Sequence, residues 1–197
     1  MRIRSLSASL LTVATLGILA LAPAARAAQA PKKSALEISH APLQCVTAQV
    51  PPRVEAAVAP APDLAIGKVY FRAVQAPPDY YYIVLKGVPK ELEGLLPRPI
   101  AGTSAIDYYV EAQDKASLTN RTPGYQPKVT EEAKCERRQA AAIVVPAAGM
   151  GLTIGLTKAG QDPYPPGFRK EDIAKVILVT GAVVGVAEAA SGATGAA

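Results

Sequence analysis

A series of short runs in which apolar and polar residues alternate constrains the fold more than any other feature of this sequence. The clearest run is IGKVYFRA, in which Val69 and Phe71 alternate with Lys68 and Arg72. Side chains at alternate positions of an extended strand point to opposite faces of the sheet. The run therefore predicts a half-buried strand with one face in a core and the other in solvent.

Similar runs recur through residues 37–129 and are separated by Pro, Gly, Asp and Asn, which favour turns. The predicted strands are residues 37–40, 53–58, 66–73, 80–86, 92–96, 105–112 and 124–129. Seven short strands in about 95 residues are typical of a β-sandwich. The sequence therefore predicts an all-β sandwich of about seven strands, with residues 37–136 as its domain.

Several of these stretches carry a resemblance to known modules. VYFRA, then YYYIVLK, then AIDYYVEAQD followed by NRTPGYQPKV, resemble the fibronectin-type-III or immunoglobulin-like modules of bacterial exported proteins. The resemblance covers about half the chain. Because these motifs serve packing, the resemblance implies the fold and implies little about activity. The chain departs from antibody domains in having no Trp, so that Phe71 would take the place of the core anchor. Tyr108 or Tyr109 would take a role like that of the tyrosine corner.

The N-terminus has the three parts of a secretory signal peptide. Arg2 and Arg4 precede an apolar stretch at residues 10–22, and a small-residue Ala-Arg-Ala site ends at Ala27. A membrane span needs about 20 apolar residues, so this shorter stretch favours cleavage over an uncleaved anchor, which is the alternative. The sequence predicts a signal peptide at residues 1–27, a flexible leader at residues 28–36, and a periplasmic, cell-envelope or secreted location.

The basic charge of the chain comes largely from this segment. The formal net charge is +5, and removal of residues 1–27 takes away three arginines and no acids, which leaves +2. A nearly neutral chain without clustered Lys and Arg lacks the electrostatic footprint of a nucleic-acid-binding protein. No nucleic-acid partner is expected.

The chain has two cysteines, Cys45 and Cys135. An exported chain meets an oxidising compartment, so we expect them to form a disulfide. The alternatives are two free thiols, or Cys45 as a nucleophile assisted by His40. The two residues are five apart, and on one strand an odd separation points side chains to opposite faces, which disfavours the dyad.

The chain beyond the sandwich has a different composition. Residues 130–142 favour a helix by propensity, and residues 137–169, rich in Gly, Pro and Ala, are predicted to be an irregular linker. Residues 170–197 begin with acids and continue apolar, which predicts a Gly/Ala-rich helix and tail. Association of residues 173–190 with a membrane is possible, although the uncharged part is too short for a span.

The sequence contains no pattern that indicates catalysis or a cofactor. The single histidine, His40, excludes metal sites that need two histidines, and no nucleophile-elbow or phosphate-loop motif is present. By alternation, four tyrosines fall on outward positions: Tyr70, Tyr80, Tyr82 and Tyr109. Exposed tyrosines are common at recognition surfaces. The alternative is that loops or the C-terminal segment cover them.

Three functions are compatible with these features. The first is a non-catalytic envelope or secreted protein that binds a protein or glycan through an immunoglobulin-like module. The second is a membrane-associated protein that oligomerises through its C-terminal helix. The third is a thiol enzyme that uses Cys45 and His40.

Overall fold

The structure is a computed structural model that describes residues 33–131, 135, 149–180 and 183–187. The predicted signal peptide at residues 1–27 lies outside the described residues, as does most of the helix predicted at residues 130–142. Within the described ranges, eleven strands form two sheets. This confirms the prediction of an all-β fold with two sheets, although the described residues hold more strands than the seven predicted.

The first sheet has four antiparallel strands in the order β1-β2-β6-β5. They are β1 (Glu37–His40), β2 (Arg53–Ala59), β5 (Lys86–Val88) and β6 (Glu91–Leu95). The second sheet has seven strands in the order β11-β10-β9-β4-β3-β7-β8. They are β3 (Leu64–Ala73), β4 (Tyr81–Val84), β7 (Ile106–Asp114), β8 (Thr119–Arg121), β9 (Leu152–Leu156), β10 (Ile173–Thr180) and β11 (Val183–Ala187). All its pairs are antiparallel except β9 with β10, which is parallel.

The alternating pattern explains where the core lies. Val54 and Val58 of β2 face Val69 and Phe71 of β3 across the sandwich core, and all four are at most 2% exposed. Burial of a large aliphatic or aromatic side chain contributes about 1.5–3 kcal/mol. The predicted inward faces of these strands are therefore the ones that hold the two sheets together.

The last predicted strand of the sandwich differs in the structure. Residues 124–129 contribute only isolated bridges, which are Tyr108 with Tyr125, Ala105 with Lys128 and Val46 with Val129. The regular strand at this edge of β7 is β8, at Thr119–Arg121. Proline has no N–H to donate to a ladder, and the chain has prolines at positions 123 and 127. The prolines therefore account for the interruption of this edge.

The prediction of a flexible leader at residues 28–36 is wrong for the part that is described. Leu36 is 1% exposed and belongs to the core. The backbone N–H of Ser34 donates to the carbonyl of Thr119 at 3.2 Å. The Ser34 hydroxyl donates to the carboxylate of Asp114 at 2.7 Å. These bonds hold the segment before β1 against the end of β7 and the beginning of β8.

The prediction of a C-terminal helix is wrong for residues 173–180, which form strand β10. The run is rich in β-branched residues, which fit an extended, half-buried surface better than a helix. Its partner β9 lies inside the segment predicted to be an irregular linker, at Leu152–Leu156. The second sheet thus continues beyond residue 136, where the sandwich domain was predicted to end. No helix in the described part of the chain is long and apolar enough to cross a membrane.

A buried ion pair fixes the start of β10. Asp172 is fully buried and accepts hydrogen bonds from the backbone N–H of Arg98 at 2.9 Å and from its guanidinium at 2.9 and 2.6 Å. The hydrogen bond to Asp172 is the main reason that the pKa of Arg98 is raised above its ordinary value. The pair joins the connection between β6 and β7 to the beginning of β10.

Candidate functional site

The four predicted tyrosines lie together on the outer face of the second sheet. Tyr70 on β3 is the cross-strand partner of both Tyr82 on β4 and Tyr109 on β7, so the register of three strands brings the rings together. The Tyr70 and Tyr109 rings stack with centroids 4.9 Å apart, and Tyr70 and Tyr82 are 5.6 Å apart. Tyr80, which precedes β4, contacts Tyr109 edge-on at 5.2 Å. We call these four residues the tyrosine face.

Three cationic side chains lie over rings of the tyrosine face. They are Lys68 over Tyr82 at 5.0 Å, Arg72 over Tyr80 at 5.1 Å, and Arg121 over Tyr109 at 5.7 Å. Contacts of this kind contribute about 0.5–1 kcal/mol at exposed sites. The face therefore presents aromatic rings together with positive charge.

A buried carboxylate anchors one side of the tyrosine face. Asp107 is 5% exposed and accepts a hydrogen bond from the Tyr80 hydroxyl at 2.7 Å and two from Arg72, at 3.1 and 2.7 Å. A carboxylate on an outward position of a strand is ordinarily solvated. The cross-strand pairing of Arg72 with Asp107 explains its burial, because the guanidinium satisfies the charge.

Two hydroxyls of the face, those of Tyr70 and Tyr80, are held as neutral donors. Tyr70 donates to a carboxylate oxygen of Glu111 at 3.1 Å, and the pKa of Tyr70 is raised well above its ordinary value by burial and by the nearby Glu111 charge. Burial and the hydrogen bond to Asp107 likewise raise the pKa of Tyr80. The phenols therefore stay protonated through the physiological pH range.

The four tyrosines differ in exposure. Tyr70, Tyr80 and Tyr109 are half-buried, whereas Tyr82 is 7% exposed. The Tyr82 ring lies against Gly155 of β9, where a Cβ atom would overlap the ring. Strand β9 therefore covers most of Tyr82, and the other three tyrosines form the accessible part of the face.

A shallow groove of about 330 Å³ runs over the tyrosine face. Its lining includes the rings of Tyr70, Tyr82 and Tyr109, together with Lys68 and Glu111. It thus combines aromatic surface with one cation and one carboxylate. Such a mixture can contact an apolar surface and also orient polar groups of a bound molecule.

The cysteine and histidine of the thiol hypothesis have structural partners. Cys45 is bonded to Cys135, which confirms the predicted disulfide, and the described residues contain no free cysteine. His40 Nδ1 lies 2.6 Å from the carbonyl of Glu55, so it must be the protonated nitrogen, because a carbonyl only accepts. His40 therefore has a structural role in contact with Tyr108 and Tyr125, and Cys45 has no free thiol for it to activate.

Tyr108 connects this histidine to the core. Its ring is fully buried, and its hydroxyl donates to His40 Nε2 at 2.9 Å while accepting the N–H of Leu43 at 2.8 Å. Burial raises the pKa of Tyr108 to about 12. In a tyrosine corner the Tyr hydroxyl forms a hydrogen bond with nearby backbone. Tyr108, whose hydroxyl accepts the Leu43 N–H, fits this role better than Tyr109.

The described residues define an all-β protein: a disulfide-bonded sandwich with a cation-flanked tyrosine face on its larger sheet. The disulfide is compatible with an exported protein. Comparisons with protein-family models, with curated proteins and with solved structures found no match. The function is therefore inferred from the geometry of this chain.

Proposed function

We propose that the chain is an exported, non-catalytic protein whose immunoglobulin-like sandwich binds a protein or glycan partner through the tyrosine face. The observation that carries the proposal is the grouping of three accessible tyrosines with Arg72 and Arg121, beside Lys68 in the lining of the groove. Tyr and Arg are enriched among the residues that dominate binding energy at interfaces. Tyr also offers a large contact area at low entropic cost.

Strand order supports the immunoglobulin-like assignment. The order β1-β2-β6-β5 corresponds to strands A, B, E and D of that fold, and β8-β7-β3-β4 corresponds to G, F, C and C′. Strands β9, β10 and β11 continue the sheet beyond the C′ position. They are an addition to the common pattern, and β9 packs Gly155 against the tyrosine face.

Export is supported by the pattern of residues 1–27 together with the disulfide. We expect the protein isolated from the cell envelope or medium to begin at Ala28, as measured by intact mass. Ala27→Phe should retain the uncleaved precursor, because the cleavage site requires a small residue. Ala30→Phe is the matched control and should be processed normally. If Ala30→Phe retained the precursor and Ala27→Phe did not, cleavage would occur after Ala30. An uncleaved, full-length wild-type protein would contradict the proposal.

Partner binding can be tested by photo-crosslinking from the tyrosine face. A photoreactive phenylalanine analogue at Arg121, which is exposed over Tyr109, should give a crosslinked adduct of discrete mass in living cells. The same analogue at Glu55, exposed on the other sheet, is the control and should give none. Adding Tyr109→Ala should lower the adduct yield by about tenfold or more, because truncation of a central aromatic costs about 2 kcal/mol.

The matched variant for this experiment is Tyr164→Ala. Tyr164 is also half-buried and also lies under a cation, Lys170, at 5.3 Å, but it is outside the tyrosine face. It should leave the adduct unchanged. Equal yields from the two variants, with thermal unfolding showing both folded, would refute the tyrosine face as the binding surface.

A further inference from the structure

A second concave site lies where β4 and β9 separate. The two strands pair over only two residue pairs, Tyr81 with Leu156 and Tyr82 with Gly155. Beyond these pairs β4 continues through Leu85 into β5, which belongs to the first sheet, while β9 stays with β10 in the second. A cleft of about 430 Å³ opens between the diverging strands.

The walls of the cleft are strand edges without a partner across the gap. Ile83 and Val84 of β4 line one side, and Leu152, Thr153 and Ile154 of β9 line the other. Unpaired strand edges are templates for pairing with another extended chain. Val84 is 44% exposed, which leaves apolar surface at the opening.

The rest of the lining combines apolar and charged side chains. Leu95 and Ile177 add aliphatic surface, and the charged residues are Arg53, Lys86 and Glu93. Arg53 pairs with Glu93 at 3.0 Å, whereas Lys86 has no ion pair among the described residues. The lining therefore carries one net positive charge.

Arg53 also has an unsatisfied donor. Its Nε is buried and has no hydrogen-bond acceptor within the part of the chain that is described. Buried donors without acceptors are rare in folded proteins. A carbonyl or carboxylate oxygen that entered the cleft beside Arg53 would supply the missing acceptor.

We propose that this cleft binds an extended apolar peptide with a free carboxylate, which adds as a strand between β4 and β9. The backbone of the peptide pairs with the two open edges, its aliphatic side chains contact Val84 and Leu152, and its carboxylate lies toward Lys86 and Arg53. This is the strand-addition mode of peptide recognition. The site is separate from the accessible rings of the tyrosine face and does not depend on their role.

The test uses the purified protein and a fluorescein-labelled peptide of alternating valine and threonine with a free C-terminus, measured by fluorescence anisotropy. Val84→Glu should weaken binding by about tenfold or more, because it places a polar acid at the apolar opening and repels the carboxylate. Val88→Glu is the matched control, since Val88 is 60% exposed on β5 and outside the cleft, and it should bind as the wild type does. Amidation of the peptide C-terminus should also weaken binding.

Backbone hydrogen exchange provides the structural readout. Bound peptide should slow exchange of amides in residues 83–84 and 152–154, because strand addition gives open edges new hydrogen bonds. Several outcomes would overturn the proposal: no binding, equal binding to the two variants, or protection confined to other strands. Binding of dodecanoate but not of the peptide would show a lipid site and overturn the proposal. Slow exchange of the same amides without added peptide would also overturn it, because a segment of the protein itself would then occupy the cleft.

Discussion

Replacement of Asp172 with alanine is expected to lower the free energy of unfolding by about 3–5 kcal/mol, because it leaves a buried guanidinium without its counter-charge. The Asp172 side chain is fully buried and that of Arg98 is only 14% exposed, so water cannot take the place of the lost carboxylate. Two guanidinium bonds and one backbone bond are lost together. Urea denaturation with and without the substitution measures the difference.

Glu171→Ala is the matched control for this prediction. Glu171 is the adjacent acid but is exposed, so its removal should change the free energy of unfolding by less than about 0.5 kcal/mol. A double variant with Arg98→Met and Asp172→Leu should recover only part of the loss. It removes the unpaired charge, but the backbone N–H of residue 98 stays without its acceptor. If Asp172→Ala behaved like Glu171→Ala, β10 would not depend on the ion pair.

The second large effect is expected from loss of the disulfide. The bond joins residues that are 90 positions apart, and closing a loop of this size restricts the unfolded chain by about 4–5 kcal/mol in the chain-entropy account. The combined Cys45→Ser and Cys135→Ser variant should therefore unfold at a much lower urea concentration. The fold itself should survive, because neighbouring Val46 is fully buried and bridges to Val129 independently of the sulfur atoms.

Reduction of the wild-type protein serves as the control for these substitutions. The reduced protein and the double serine variant should have the same unfolding midpoint, since both lack the same constraint. A reducing agent should leave the variant itself unchanged. Equal midpoints for the oxidised wild type and the variant would show that the bond contributes nothing to stability.

Local alternation was sufficient to predict the strands that build the core. Whether Val54, Val69 or Phe71 points inward depends only on the period of its own strand, and each is buried as expected. The same rule placed Tyr70 and Tyr109 on the outer face. The disulfide followed from the cysteine count and the export signal.

The tertiary structure decided which of these residues meet. Strand register sets Tyr70 between Tyr82 and Tyr109 and sets Arg72 opposite Asp107, and nothing within a single run specifies which strand it pairs with. The burial of Asp107 against Arg72 and the covering of Tyr82 by β9 therefore follow only from the tertiary structure.

Long-range strand pairing also explains why the C-terminal part forms a strand in place of the predicted helix. Residues 170–197 have an acidic start and an apolar run that suit a helix locally, but β9 offers an edge on which residues 173–178 pair as a strand. Hydrogen bonds to that edge and the buried Asp172 outweigh the weak local preference. The sequence by itself therefore determined the sandwich core and its inward faces. Only long-range pairing determined the extension of the second sheet, the grouping of the tyrosines and the cleft between β4 and β9.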